Sequence, residues 1–358
     1  MKNLFLILFI IVSLNLDAQY ITNHAKNVKQ TEIDGIYYHL PQNIVRIDFV
    51  VEKNQTYKGK YSSFAKEMLN TDNYIKENKT TYRITDVNAS ILTEADPNMV
   101  FYISTDDKTK ETPKYEFSFN NDGIIKSFGY QSIINDCNKE DFVEETSFTY
   151  NRPNDFQYYI PLEENDDDEE GKTKLTDKEI ASSIIEEIKK IRIAYLDLIT
   201  GYQEVDYGKT MNYMVDELKK LENDYLNMFV GKTDTEIFTK TFYVIPEKDK
   251  NLVVLTKFSD TEGFNSKNGE NIKINFSELS RSSINTLTID EIENMTYNNK
   301  LFYRNPANVT MQISYGEKII LENRLKISQL GNVILLPMNK MQLIFDTNTG
   351  QILSIIKE

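Results

Sequence analysis

The chain has 358 residues, 40% hydrophobic and 27% charged, which at ~150 residues per domain allows two or three domains with real cores. Its 41 Lys and Arg against 55 Asp and Glu leave a net charge of −14, which argues against nucleic-acid partners and anionic membrane surfaces, both of which attract cations. Two His, one Cys and no Trp remove most of the usual catalytic and metal-ligand vocabulary.

Lys2 precedes an apolar run from Leu4 to Val12, followed by Ser13, Leu14 and Asn15 and by a small residue at Ala18, with Leu16 a poor fit three positions before the cut. This reads as a cleavable signal peptide, cut between Ala18 and Gln19. The run falls short of the ~20 residues of a spanning helix, and no Cys follows it to accept a lipid. The expectation is an exported chain, periplasmic or extracellular, soluble after cleavage, not a lipoprotein and without a transmembrane segment. Cys137 has no second Cys in the chain to pair with, so the fold must rest on core packing.

Over 33–161 the period is mostly two. Val45, Ile47, Phe49 and Val51 alternate with polar or outward positions, as do Tyr115, Phe117 and Phe119, which is the pattern of half-buried antiparallel strands. Residues 99–103 suit a more buried strand, and 61–69 reads as one short helix. His24 is expected in a flexible N-terminal segment and His39 beside Pro41 at a strand start.

Residues 163–170 (EENDDDEE) hold seven acids in eight and read as a solvated linker. Thr176 with Glu179 then fits a capping box. Ile180, Ile184, Ile188, Ile191, Tyr195 and Leu198 follow at helical spacing up to Gly201. Met211, Met214, Leu218, Leu221, Tyr225 and Met228 repeat at 3-4-3-4-3 before Gly231. Two such helices with a short connection predict an antiparallel hairpin. The second stripe packs on its neighbours or serves as a partner surface.

Strands return after Thr239. Val309, Met311, Ile313 and Tyr315 alternate before Gly316, and a hairpin turn at Asp346 to Gly350 leads to a last strand. Residues 259–271 read as a surface loop. Two stretches recur in order. Ile36-Tyr37-Tyr38-His39-Leu40-Pro41-Gln42-Asn43-Ile44 aligns with Leu301-Phe302-Tyr303-Arg304-Asn305-Pro306-Ala307-Asn308-Val309. Phe119 followed by Gly123-x-Ile125-x-Ser127 matches Phe345 followed by Gly350-x-Ile352-x-Ser354, with one extra turn residue.

The expected class is therefore α+β, two antiparallel β-rich modules flanking a two-helix antiparallel hairpin. The segments are a signal peptide at 1–18, an N-terminal β-rich domain with one short helix at 32–161, an acidic linker at 162–175, the helical hairpin at 176–231 and a C-terminal β-rich domain at 236–358.

The ordered set Tyr37-Tyr38…Pro41, Tyr61…Ala65, Asp96-Pro97, Leu198-Ile199-Thr200-Gly201, Phe229-Val230-Gly231-Lys232, Phe258-Ser259…Gly263, Gln329-Leu330-Gly331, Leu336-Pro337 and Phe345-Asp346…Thr349-Gly350 resembles an exported Bacteroidota family, the domain of unknown function 4831. Lys257 stands where Arg is expected and Leu330 where an aromatic is common. The resemblance implies export and architecture, and brings no catalytic residues.

The chemistry searched for mostly fails. Gly-Lys-Thr begins at Gly171, Gly208 and Gly231, but the Gly that a phosphate loop needs five residues earlier is Asp166, Gln203 or Leu226. Two His so placed make neither a zinc site nor a Ser/His/acid triad. The metal candidate is Asp166, Asp168, Glu170 and Asp177, spaced partly like a calcium loop, with Thr173 and a terminal Asp as its faults. No other cofactor is expected. The leading expectation is a non-enzymatic binding or scaffold protein of the cell envelope, whose partner is an envelope protein or polymer. The alternative is a secreted hydrolase using paired carboxylates. A third expectation is a homo-oligomer formed through the helical hairpin.

Overall fold

Period-two burial is carried furthest in β2 (Gly35–Tyr57), where Val45, Ile47, Phe49 and Val51 are completely buried and their neighbours are not. The computed structural model describes residues 20–28, 35–105, 115–130, 175–200, 210–280, 286–338 and 341–357. Its other strands are β1 (Tyr20–His24), β3 (Lys79–Thr105), β4 (Tyr115–Phe119), β5 (Ile125–Tyr130), β6 (Lys232–Val244), β7 (Leu252–Ser259), β8 (Gly263–Phe264), β9 (Glu270–Ser280), β10 (Tyr297–Asn298), β11 (Lys300–Tyr315), β12 (Lys318–Pro337), β13 (Met341–Phe345) and β14 (Ile352–Lys357). The helices are α1 (Ala65–Leu69), α2 (Asp177–Thr200), α3 (Met211–Val230) and α4 (Ile289–Asn294).

The protein is thus β-rich, with antiparallel pairing in several sheets and four helices among the described residues. Contacts divide the chain into two units, one of 1–54, 80–134 and 235–358, the other of 55–79 and 135–234. These units cut across the period boundaries of the sequence. Strands from both β regions share the first unit, and the short helix of the first β region belongs with α2 and α3.

In the first unit three sheets run in the orders β10-β1-β3-β2-β6, β12-β11-β9-β7-β8 and β14-β13-β5-β4. The buried face of β2 meets Ile272, Ile274 and Phe276 of β9 and Val309, Met311 and Ile313 of β11 in one core. A second core gathers Tyr38, Phe101, Phe128, Phe302, Leu343 and Phe345, with Phe101 stacked on Phe302 at 4.2 Å.

The paired stretches in the sequence adopt matching structures. Both hairpins, β4–β5 and β13–β14, carry a register shift at the same place. It falls between Ser118 and Phe119 in one, and between Ile344 and Phe345 in the other. Both close on a glycine with φ near +70°, Gly123 and Gly350, a conformation that costs other residues energy. The hairpins lie side by side, β5 pairing antiparallel with β13.

β11 and β12 are joined by a tight turn at Gly316, whereas β2 and β3 enclose residues 58–78, which contain α1. Pro306 falls where the β11–β12 register skips from Asn305 opposite Asn332 to Ala307 opposite Ile327. Proline has no N–H for the ladder, so residues 328–331 bulge out opposite it. Gly331 is required there, since a Cβ would lie 1.8 Å from the Asn305 carbonyl oxygen.

In the second unit, Ala181, Ile184 and Ile188 of α2 pack with Phe229 of α3 and with Tyr61 and Ala65. Arg192 pairs with Glu222, and Lys219 lies over Tyr195, so contacts descend α3 as they climb α2. Thr176 and Glu179 form the expected capping box, which holds the Glu179 carboxyl below its ordinary value through the Thr176 N–H. α3 stops at Gly231, with φ at +83°.

Two expectations need correction. His24 is not in a flexible segment. It ends β1 and is buried, with Nδ1 accepting from the Lys26 N–H and Nε2 donating to the Asn98 carbonyl. Strand pairing to β3, 77 or more residues away in sequence, holds a segment whose own pattern is too short to read. Residues 259–271 contain β8 and the start of β9 rather than a loop throughout. α4, not expected at all, is signalled by Thr288 and Glu291, whose capping box is complete.

Candidate functional site

The opening of β2 and the opening of β11 converge with both hairpin turns in the first unit. The His39 N–H donates to the Gly123 carbonyl at 3.0 Å, and a Cβ on Gly350 would strike Pro41. Tyr38 is fully buried. Its hydroxyl accepts from the Phe302 N–H at 3.0 Å and donates to the Phe302 carbonyl at 3.4 Å. Burial pushes its ionisation well above the ordinary value, against a smaller opposing pull from Phe302. Tyr303, its counterpart in the aligned stretch, accepts from the Ile352 N–H at 3.1 Å and is pushed up to about 12 by burial.

Arg304 is buried beside them. It donates to the Pro41 carbonyl and to Asp96 Oδ2, each at 2.8 Å, and both side chains of the ion pair are nearly inaccessible. Burial pulls the guanidinium below its ordinary value while Asp96 opposes the shift. A cavity of about 20 Å³ lies between Tyr38, His39, Ile125, Phe302, Arg304 and Phe345. That is room for one water, not for a substrate of several hundred Å³. His39 Nδ1 is buried without a hydrogen-bond partner.

A polar node adjoins this region. Asn43 is completely buried. Its Oδ1 accepts from the Ser328 N–H at 2.6 Å, and its Nδ2 donates to Thr93 Oγ1 and the Asn348 carbonyl. The Gln329 carboxamide serves the Asn43 main chain in both directions. Every polar atom of Asn43 is therefore occupied by protein, a structural rather than a catalytic use.

The most exposed apolar feature of the third sheet is its edge. Phe117, Phe128, Leu343 and Ile355 are successive cross-strand partners and so share one face. Phe128 and Leu343 are 1% exposed, but Ile355 on the outer strand β14 is 55% exposed and Leu353 64%.

The sequence-derived site residues distribute as follows. Asp177 lies in the first turn of α2, while Asp166, Asp168 and Glu170 fall outside the described residues, as do Ala18 and Gln19. No cluster of three metal-ligating side chains occurs among the described residues. Met211, Met214, Leu218, Leu221, Tyr225 and Met228 are all half-buried, and Tyr225 and Met228 pack on the core of the second unit. Gly231 of the third Gly-Lys-Thr ends a helix instead of starting one, the wrong dipole end for a phosphate. Asp96, Arg304, Gln329 and Asn43 were not expected as a group. Asp96 stands in the Asp96-Pro97 motif and Arg304 in the repeated stretch, but nothing in the sequence brings the two together.

The model of a family described as a domain of unknown function, DUF4831, matches residues 34–353. The chain belongs to the DUF4831 family. The DUF4831 match takes in the convergence region, the Asn43 node and the helical unit, and ends within β14. No curated protein and no solved structure matches the chain. Among the described residues no helix is long and apolar enough to cross a membrane.

Proposed function

We propose that this DUF4831 protein is an exported cell-envelope protein that acts by binding, as a scaffold or adaptor, and not by catalysis. Leu4 to Ala18 would direct export, and two related β modules separated in sequence by the α2–α3 hairpin would form the body. The observation that carries the reading is Ile355, the exposed end, on an outer strand, of a cross-strand row in which Phe128 and Leu343 are buried and Phe117 is half-buried. An open edge of this kind takes up an extended segment by adding a strand, main-chain bonds supplying affinity and alternate side chains specificity. The buried Asp96–Arg304 pair, hydrogen-bonded within the protein, has a structural use.

A photo-crosslinking residue at position 355, in cells carrying the full chain, tests this. Adducts at 355 and none at the exposed control position Ile289 are expected. No adduct at 355, or hydrolysis of a glycan, peptide or ester panel that one acidic substitution abolishes, would overturn it.

A second reading has its own observation. Ile193, Leu196 and Ile199 of α2 and Tyr213 of α3 are exposed apolar residues towards the connected ends of the helices. They would let the hairpin carry a partner contact or a homo-oligomer, and Leu196→Glu would then disperse it while leaving the β-rich unit folded.

A further inference from the structure

Resting on the binding reading, we infer that the partner of the β14 edge is strand β4 of a second copy of this chain, added head to tail. The reason lies in how the two hairpins already meet. β5, the second strand of one hairpin, pairs with β13, the first strand of the other, with Phe128 opposite Leu343 and Ser127 opposite Ile344. Counted from the shared register shift, β14 corresponds to β5 and β4 to β13. Ile355 takes the place of Phe128, Ser354 of Ser127, Phe117 of Leu343 and Ser118 of Ile344.

The order β14-β13-β5-β4 therefore ends in the two halves of a junction it already contains once. One outer strand offers the edge that accepts, the other the edge that is accepted. Two copies joined as the hairpins are joined would set Ile355 opposite Phe117 and Ser354 opposite Ser118. The row Phe117–Phe128–Leu343–Ile355 would run on into the next copy's Phe117, covering an isoleucine that now faces water.

Backbone directions agree. The Tyr115 N–H donates to the Tyr20 hydroxyl, outside the β4–β5 ladder, so by alternation Phe117 also turns its N–H and carbonyl away from β5. The same alternation, carried across β13, turns those of Ile355 outward. Both edges are lightly guarded, β4 by its five-residue length and β14 by the bulge at Leu353. Tyr115–Phe119 (YEFSF) and Ile352–Lys357 (ILSIIK) contain no proline and one charged residue each. Among the described residues neither has a strand on its outer side. An interface between two different edges is heterologous, so it repeats from copy to copy instead of closing on a dimer.

Cysteines at the expected register test this without disturbing the core. Ser118 and Ser354 would face each other as a non-hydrogen-bonded pair, ~4.5 Å between Cα atoms, within disulfide reach. In a Cys137→Ser background, full-length Ser118→Cys and Ser354→Cys proteins are purified reduced and then oxidised, singly, mixed, and as the double variant. The expected result is no disulfide from either alone, a covalent dimer from the mixture, and a ladder of multimers from the double variant. Dimers from Ser354→Cys alone would mean a self-complementary β14 edge and overturn the inference. So would the absence of any disulfide in the mixture. If the mixture stays monomeric while position 355 still captures a different envelope component, self-assembly fails and the binding reading stands.

Discussion

The side-chain amide of Gln329 stands in for a neighbouring strand beside Asn43: the Asn43 N–H donates to Gln329 Oε1 at 3.0 Å, and Gln329 Nε2 donates to the Asn43 carbonyl at 2.8 Å. The bulge opposite Pro306 puts Gln329 there, and with Ser328 it ties the second β region to the first across more than 280 residues of sequence. Gln329→Leu, which removes both bonds from a buried residue, should cost roughly 1–3 kcal/mol in denaturant unfolding. Gln329→Glu should cost more at neutral pH, because a carboxylate oxygen then faces the Asn43 carbonyl, and should regain stability as the pH falls towards the carboxyl's ionisation range.

Gly331 makes that bulge possible. Gly331→Ala places a Cβ against the Asn305 carbonyl oxygen and should lower stability by roughly 1–3 kcal/mol, as overpacking of a close-packed site does. Gly269→Ala meets the Phe258 carbonyl at 2.3 Å in the same unit and provides a comparison with no effect on the Asn43 node.

Arg304 and Asp96 should be unequal to their parts. Arg304→Met leaves a carboxylate buried without its cation and should cost about 3–5 kcal/mol. Asp96→Leu together with Arg304→Met removes both charges and should recover most of that loss. A double-mutant cycle by chemical denaturation reads the difference.

Alkaline stability should report Tyr303. Its ionisation is raised in the folded state to about 12, from the ~10 of an exposed tyrosine. The folded state therefore holds the proton more tightly, so this contribution is fully present below pH ~10 and is lost as the pH rises to ~12. Two units correspond to about 2–3 kcal/mol. Tyr303→Phe should be less stable at pH 8, having lost the acceptor for the Ile352 N–H, and its stability should fall less between pH 10 and 12.

Sequence pattern and structure agree where burial repeats locally. Val45 to Val51, the Ile184 and Ile188 face of α2 and the glycine-closed hairpins at Gly123 and Gly350 are all visible as period or turn chemistry. What surrounds them is not. Alternation says that Phe49 is inside but not that β9 and β11 cover it. The helix at 61–69 is legible as a helix, whereas its packing against Ile188 and Phe229 depends on contacts more than 100 residues away. The Asn43 node and the Asp96–Arg304 pair are assembled from four or more strands and turns, so no window of sequence contains them.

Sedimentation velocity of the chain without residues 1–18, over a wide concentration range, tests the account most directly. Head-to-tail pairing of β14 with β4 predicts a weight-average mass that climbs with concentration past that of a dimer, and an Ile355→Lys protein that stays monomeric throughout. A wild-type chain sedimenting as a monomer at every concentration, or one stopping at a dimer that Ile355→Lys leaves unchanged, would contradict it.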